Sequence, residues 1–200
     1  MKTRIYLETS SKTSSEYVFI KTLLEKLRRA DYEIICVGGK NKLREVANKF
    51  HEHTAEGGEN IIIFDADSAN NGDGYANAMQ RIREQIATLG IEVAGIFLFP
   101  NNADDGIFEN LLEHLIRKDL HQTFLDCFSD YEACLGKNYE VPDIKGKMYE
   151  YIIIQKGLSD SAREHIKKGD WLWGNSDYWD LDACYLQPLK DFPCRHVSSR

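Results

Sequence analysis

The segment Ile61-Ile62-Ile63-Phe64 is apolar at every position, and this lack of alternation constrains the fold more than any other feature. A strand with one face in water alternates polar and apolar residues, whereas a strand covered on both faces does not. Comparable short runs occur at Arg4-Ile5-Tyr6-Leu7, at Glu33-Ile34-Ile35-Cys36-Val37 and over 93–99. The segments between them have helical spacing: 14–29 with Val18, Phe19, Leu23, Leu24 and Leu27, 41–51 with Leu43, Val46, Ala47 and Phe50, and 75–89. Ser14 or Ser15 is placed to cap the first helix, and Gly38-Gly39 ends the second strand. This order predicts an α/β fold, a doubly wound, mostly parallel four-stranded sheet with helices on both faces.

Beyond Pro100 the pattern turns helical, with helices predicted over 107–116, 120–135, 147–155 and 159–168. From Asp170 onward the chain reads as an irregular segment whose rings, Trp171, Trp173, Tyr178, Trp179 and Tyr185, pack on the core. Residues 1–116 therefore form the α/β core and 117–200 an extension packed on it. At 200 residues the chain is below the ~250–300 at which cores split, which favours one domain. With 42% hydrophobic and 28% charged residues it has the material for a core, which excludes disordered and fibrous classes.

No apolar run approaches the ~20 residues a membrane span needs, and MKTRIYLETSSKTSS lacks the apolar stretch of a secretory signal. A cytoplasmic location is expected. Five cysteines, an odd number without a Cys-x-x-Cys pair, read as reduced thiols; Cys184, Cys194 and His196 imitate part of a zinc site but lack a second pair. The net charge of −7 argues against an all-over basic surface for nucleic acid, though not against a local basic groove.

In open α/β sheets, ligands bind outside the carboxyl ends of the strands. Those ends deliver Glu8, then Gly38-Gly39-Lys40, then Asp65-Ala66-Asp67, then Pro100-Asn101-Asn102 with Asp104 and Asp105 beyond. Glu8, Asp65 and Asp67 would converge at one edge, and crowded carboxylates favour a hard divalent cation, Mg²⁺ or Mn²⁺. The competing reading is structural, since Asp is common after a strand and caps helices, as Asn70 or Asp73 would here. Gly38, Gly39 and Lys40 suit either a phosphate cradle or a tight strand-to-helix turn. Lys40, Lys42, Arg44 and Lys49 make the second helix basic, which suits a nucleic-acid contact or an ordinary solvated face. His51 and His53 read as surface residues, and nothing distinguishes His114 or His121. The acidic aromatic tail suits packing better than base stacking.

A Glu after the first strand, Asp-x-Asp after the third and the βαβαβαβ order resemble a Toprim domain, the metal-binding module of topoisomerases, primases and OLD-family nucleases. Leu7-Glu8, Val37-Gly38-Gly39, Phe64-Asp65-Ala66-Asp67, the run 95–102 and Gly106-Ile107-Phe108-Glu109-Asn110-Leu111-Leu112 are similar to a bacterial Toprim-like family of unknown function. Lys147-Met148-Tyr149-Glu150-Tyr151 and Tyr178-Trp179-Asp180-Leu181-Asp182 extend the similarity over nearly the whole chain. The resemblance implies metal binding by Glu8, Asp65 and Asp67, with Glu16 and Glu109 as ligands for a second metal. It also implies a catalytic role for Glu109 and for a later lysine, Lys147 with Lys145 as the fallback. The pattern departs at Glu8-Thr9, where the family has Glu-Gly and a closely following acid; Glu16 would stand in across a longer loop. The activity implied is metal-dependent phosphoryl transfer on DNA or RNA, as a nuclease or phosphodiesterase. The other readings are a non-catalytic or conditionally active partner of a separate ATPase, and a binder or hydrolase of nucleotide-like small molecules.

Overall fold

The computed structural model describes residues 2–136 and 138–197. Four strands, β1 (Thr3–Leu7), β2 (Tyr32–Cys36), β3 (Glu59–Asp65) and β4 (Gly95–Phe99), form one all-parallel sheet in the order β2-β1-β3-β4. The crossovers are α1 (Ser15–Lys26), α2 (Leu43–Ala55) and α3 (Tyr75–Leu89). Leu7 is paired with Cys36 on one side and Ile63 on the other. The chain runs from β1 to β2 in one direction and then returns past β1 to β3, so the strand order reverses between β1 and β3.

Every central strand is covered on both sides, as its unbroken apolar run requires. Ile5, Leu7, Ile61, Ile63, Phe97 and Phe99 face one cluster, whereas Tyr6, Ile62, Phe64 and Leu98 face the other. The second cluster is closed by Leu43, Val46 and Phe50 of α2 and Ala78, Met79 and Ile82 of α3. The first is closed by α1 together with the C-terminal half of the chain: α4 (Phe108–Leu115), α5 (Lys118–Leu135), α6 (Ile144–Ile153), α7 (Asp160–Lys167) and α8 (Gln187–His196). The extension after residue 116 thus completes, with α1 and α4, the cover on this side of the sheet. Trp173 and Trp179 are fully buried there, their indole N–H groups donating to the carbonyls of Gly169 at 3.0 Å and Trp171 at 2.8 Å.

Several boundaries differ from expectation for local reasons. The Asp143 side chain accepts the Gly146 N–H at 2.8 Å, which starts α6 at Ile144 and puts Lys145 in its first turn. The tail is not wholly irregular, because α8 follows a short turn at 184–186 even though Pro193 lies within it. His53 is buried rather than on the surface, and its Nε2 meets the Lys2 carbonyl at 2.9 Å. Among the described residues no helix is long and apolar enough to cross a membrane.

Candidate functional site

A pocket of about 390 Å³ opens at the carboxyl ends of β1 and β3, where the strand order reverses. Four acids from four elements line it: Glu8 after β1, Glu16 in the first turn of α1, Asp65 at the end of β3 and Glu109 in the first turn of α4. Lys145 is the pocket's lysine.

Each acid is held by local structure. Ser14 caps α1 by accepting the Tyr17 N–H at 3.1 Å, and this cap fixes the turn that carries Glu16. The Asp65 N–H donates to Glu8 Oε2 at 3.1 Å across adjacent strands. Asp65 Oδ1 in turn accepts the Phe108 N–H at 2.8 Å, so β3 ends by capping α4 and bringing Glu109 to the pocket. Asn110 Oδ1 accepts the Ile107 N–H at 2.9 Å and completes that helix start. Glu16 and Glu109 both sit at helix N-termini, where the helix dipole favours their negative charge.

The charges are nevertheless crowded. Burial, then the neighbouring Glu8 and Glu109 charges, push the Asp65 carboxyl up to about 8. Burial raises Glu8 and Glu109 as well. Glu16 is raised well above its ordinary range, first by burial and then by Asp65, Glu8 and Glu109, with Lys145 opposing. Its Oε1 is buried without a hydrogen-bond partner. A desolvated acceptor with no donor is costly, and a cation is the simplest species that would satisfy it. Among the described residues no group of three or more His, Cys, Asp or Glu side chains stands as a ready-made metal cage. The acids share a pocket, and closing on an ion would require their side chains to move inward.

Other expected site residues lie elsewhere. Asp67 does not line the pocket; it takes positive φ, its backbone is paired with Gly106, and its carboxylate is bound by Lys40. Lys147 Nζ is 2.6 Å from Glu113 Oε1 and 5.5 Å from the centre of the Phe128 ring, where it ties α6 to α4 and α5. The structure thus brings the fallback lysine, Lys145, to the acids in place of Lys147. Gly38 and Gly39 border the pocket in a tight turn, with φ of +87° and +135° that side chains resist. The Gly38 N–H is taken by the carbonyls of Glu8 and Thr9, both at 3.0 Å, and the Lys40 backbone N–H by the Glu8 carboxylate.

A second groove, of about 520 Å³, runs along the edge strand β2 and is lined by Lys2, Lys12, Lys21 and Lys49 with Tyr17 and Tyr32. Cys36 also lines this groove, and burial, then the charge of Glu16, raise its thiol above the ordinary range. Of the basic residues expected to act together on α2, only Lys49 faces this groove. Arg44 lies in a depression of about 530 Å³ between α2 and α3, beside Arg81 and Glu84, where charges of both signs alternate.

Fold and pocket together define a parallel α/β protein with a concentrated acidic pocket at its topological switch point. A family described as "Protein of unknown function (DUF3226)" matches residues 13–195, and the chain belongs to it. Glu8 precedes the matched segment, while Glu16, Asp65, Glu109 and Lys145 fall within it. No curated protein and no solved structure matches the chain.

Proposed function

We propose that this chain is a Toprim-like, divalent-cation-dependent phosphodiesterase or nuclease acting on nucleic acid. The observation that carries the reading is the convergence of Glu8, Glu16, Asp65 and Glu109 on one pocket, with the Glu16 oxygen buried and unpartnered. Structural acids are ordinarily paired, and an arrangement of raised acids in a cleft is the pattern of a functional site.

Mg²⁺ or Mn²⁺ suits this all-oxygen donor set. When bound, either ion supplies charge neutralisation and Lewis acidity toward a phosphodiester. Glu8 and Asp65 would hold it from the sheet, and Glu16 and Glu109 from the two helix starts. Lys145, at the mouth on α6, is positioned to offset negative charge on a substrate phosphate. The lysine groove along β2 suits an anionic strand leading into the pocket, and Tyr17 and Tyr32 offer faces for bases. The free cysteines, Cys36, Cys127, Cys134, Cys184 and Cys194, suit a reducing cytoplasm.

A second reading, a conditionally active partner of a separate ATPase, draws on an apolar groove of about 550 Å³ between α5 and α6 with Phe124, Phe128, Tyr131, Tyr149 and Ile154 in its lining. The deciding experiment is cleavage of labelled single- and double-stranded DNA and RNA with Mg²⁺ or Mn²⁺, comparing wild type with Asp65→Asn and Glu16→Gln. Cation-dependent cleavage that both variants lose supports the enzyme. Equal cleavage by all three, or none by any, overturns it as a self-sufficient nuclease.

A further inference from the structure

The lysine groove along β2 is assembled from separate parts of the chain. Lys2 precedes β1, Lys12 lies in the loop before α1, Lys21 is on α1 and Lys49 on α2. All four are exposed, and Lys12 and Lys49 have no ion-pair partner among the described residues. Glu33, the acid of the lining, is already taken by Arg4 at 2.9 Å and Lys2 at 3.5 Å. A chain of net charge −7 thus concentrates positive charge here. β2 is an edge strand and pairs only with β1. Bonds from the Thr3 N–H to the Asp31 carbonyl at 2.8 Å and from the Val37 N–H to the Leu7 carbonyl at 2.9 Å bracket that ladder. Alternate residues of a parallel strand bond to one neighbour, so Ile34 and Cys36 turn their backbone N–H and carbonyl groups toward the groove. Tyr17 and Tyr32, each seated partly on the core, line it too. Groove and acid pocket share a border. Cys36 lines the groove and Gly38 the pocket, Tyr17 the groove and Glu16 the pocket, and Lys12 lies between Ser10 and Ser14 of the pocket. Two residues of chain span at most ~7 Å, so an extended polymer lying in the groove reaches the acids.

We propose that the groove takes one unpaired nucleic-acid strand and leads it to the acids, so that the substrate is single-stranded. This deepens the phosphodiesterase reading above and rests on it. Phosphates meet the four lysines, while bases stack on the tyrosine rings and offer their Watson–Crick edges to the free edge of β2. A duplex keeps its base faces stacked and those edges paired. It has only phosphates to give, and leaves the rings and the strand edge unused. An acidic peptide pairs with a strand edge as well, but a run of acidic side chains has nothing to lay on the tyrosines.

The test has a binding arm and a cleavage arm, with melting curves to show that each variant is folded. Binding is read by fluorescence anisotropy in chelator, so that no cleavage intervenes, on a labelled single strand of about 12 nucleotides, its blunt duplex and a poly-glutamate peptide of the same length. The single strand should bind at least tenfold more tightly than either of the others. Contacts from the lysines to three or four phosphates give a slope of log affinity against log salt of about −2 to −3. Lys12→Gln combined with Lys49→Gln should flatten that slope by about 1.4, whereas Lys118→Gln with Lys156→Gln, exposed lysines outside the groove, should leave it unchanged. Tyr17→Leu should weaken single-strand binding about tenfold, and Tyr17→Phe should keep it within about twofold. In Mn²⁺, a duplex with a single-stranded tail should be cut in the tail, and a blunt duplex at least tenfold more slowly. A duplex or peptide bound as tightly as the single strand, a slope unmoved by the Lys12 and Lys49 changes, or a blunt duplex cut as fast as the strand overturns the inference and leaves the phosphodiesterase reading standing. Cleavage of neither strand nor duplex overturns that reading and this inference with it.

Discussion

Replacing Asp65 with Asn should stabilise the metal-free protein, and the gain should grow with pH. In the folded chain the carboxyl is pushed up to about 8 from an ordinary value of 3.8. Between those values the folded chain holds a proton that the unfolded chain has released, so stability falls as pH rises from about 4 to about 8, and the full penalty applies above that. At ~1.4 kcal/mol per tenfold the ceiling is roughly 5–6 kcal/mol. Glu8, Glu16 and Glu109 share the repulsion, and water enters the open pocket, which reduces the realisable part to about 2–3 kcal/mol. The Asn oxygen still accepts the Phe108 N–H, but a neutral acceptor in place of a charged one costs up to ~1 kcal/mol. The net gain is about 1–2 kcal/mol at pH 8, or a Tm higher by roughly 2–8 °C for a chain of this size. Thermal melts by circular dichroism in excess chelator, from pH 5 to 8.5, measure it directly. A variant that melts at or below wild type at pH 8, or a gap that stays constant from pH 5 to 8, would refute the account of the pocket as uncompensated charge.

Divalent cation should act on wild type in the same direction. At about a hundredfold excess over Kd, Mn²⁺ should raise Tm by roughly 5–10 °C at pH 8, whereas Glu16→Gln should shift far less in the same melts. Lys145→Ala should lower the cleavage rate about 10- to 100-fold with the Tm of the cation-loaded protein almost unchanged, since its side chain faces the pocket. Lys147→Ala should do the reverse, lowering stability by about 1 kcal/mol through loss of its pair with Glu113 and leaving the rate within about twofold. Lys12→Glu combined with Lys49→Glu should weaken binding of a single-stranded oligonucleotide at least tenfold and flatten its salt dependence, read by fluorescence anisotropy. Trp173→Ala should cost about 3–5 kcal/mol in urea unfolding, because the ring is buried among Phe19, Phe108 and Trp179 and its N–H partner would be lost.

The unbroken apolar runs of β1 and β3 are enough to predict a two-sided sheet, and helical spacing places α3 at its observed limits of Tyr75 and Leu89. Such features depend on residues close in sequence, through hydrophobic periodicity and caps such as Ser14. The meeting of Glu8 with Asp65 was legible for the same reason, as both leave neighbouring strand ends. Glu16 and Glu109 were legible only through the family resemblance, since nothing local says that two helix starts face the same cleft. The direction of a side chain beyond a strand end is not local: Asp67 turns to Lys40 because Gly106, far along the chain, pairs with its backbone. Lys145 reaches the acids because Asp143 starts α6 early and α6 packs against α4. Sequence alone therefore determined which elements form and which acids leave the central strands, because propensity and burial pattern act over a few residues. Tertiary structure alone decided which of those acids share a pocket, which one a lysine neutralises and which lysine faces the opening, because these outcomes depend on contacts between segments tens of residues apart.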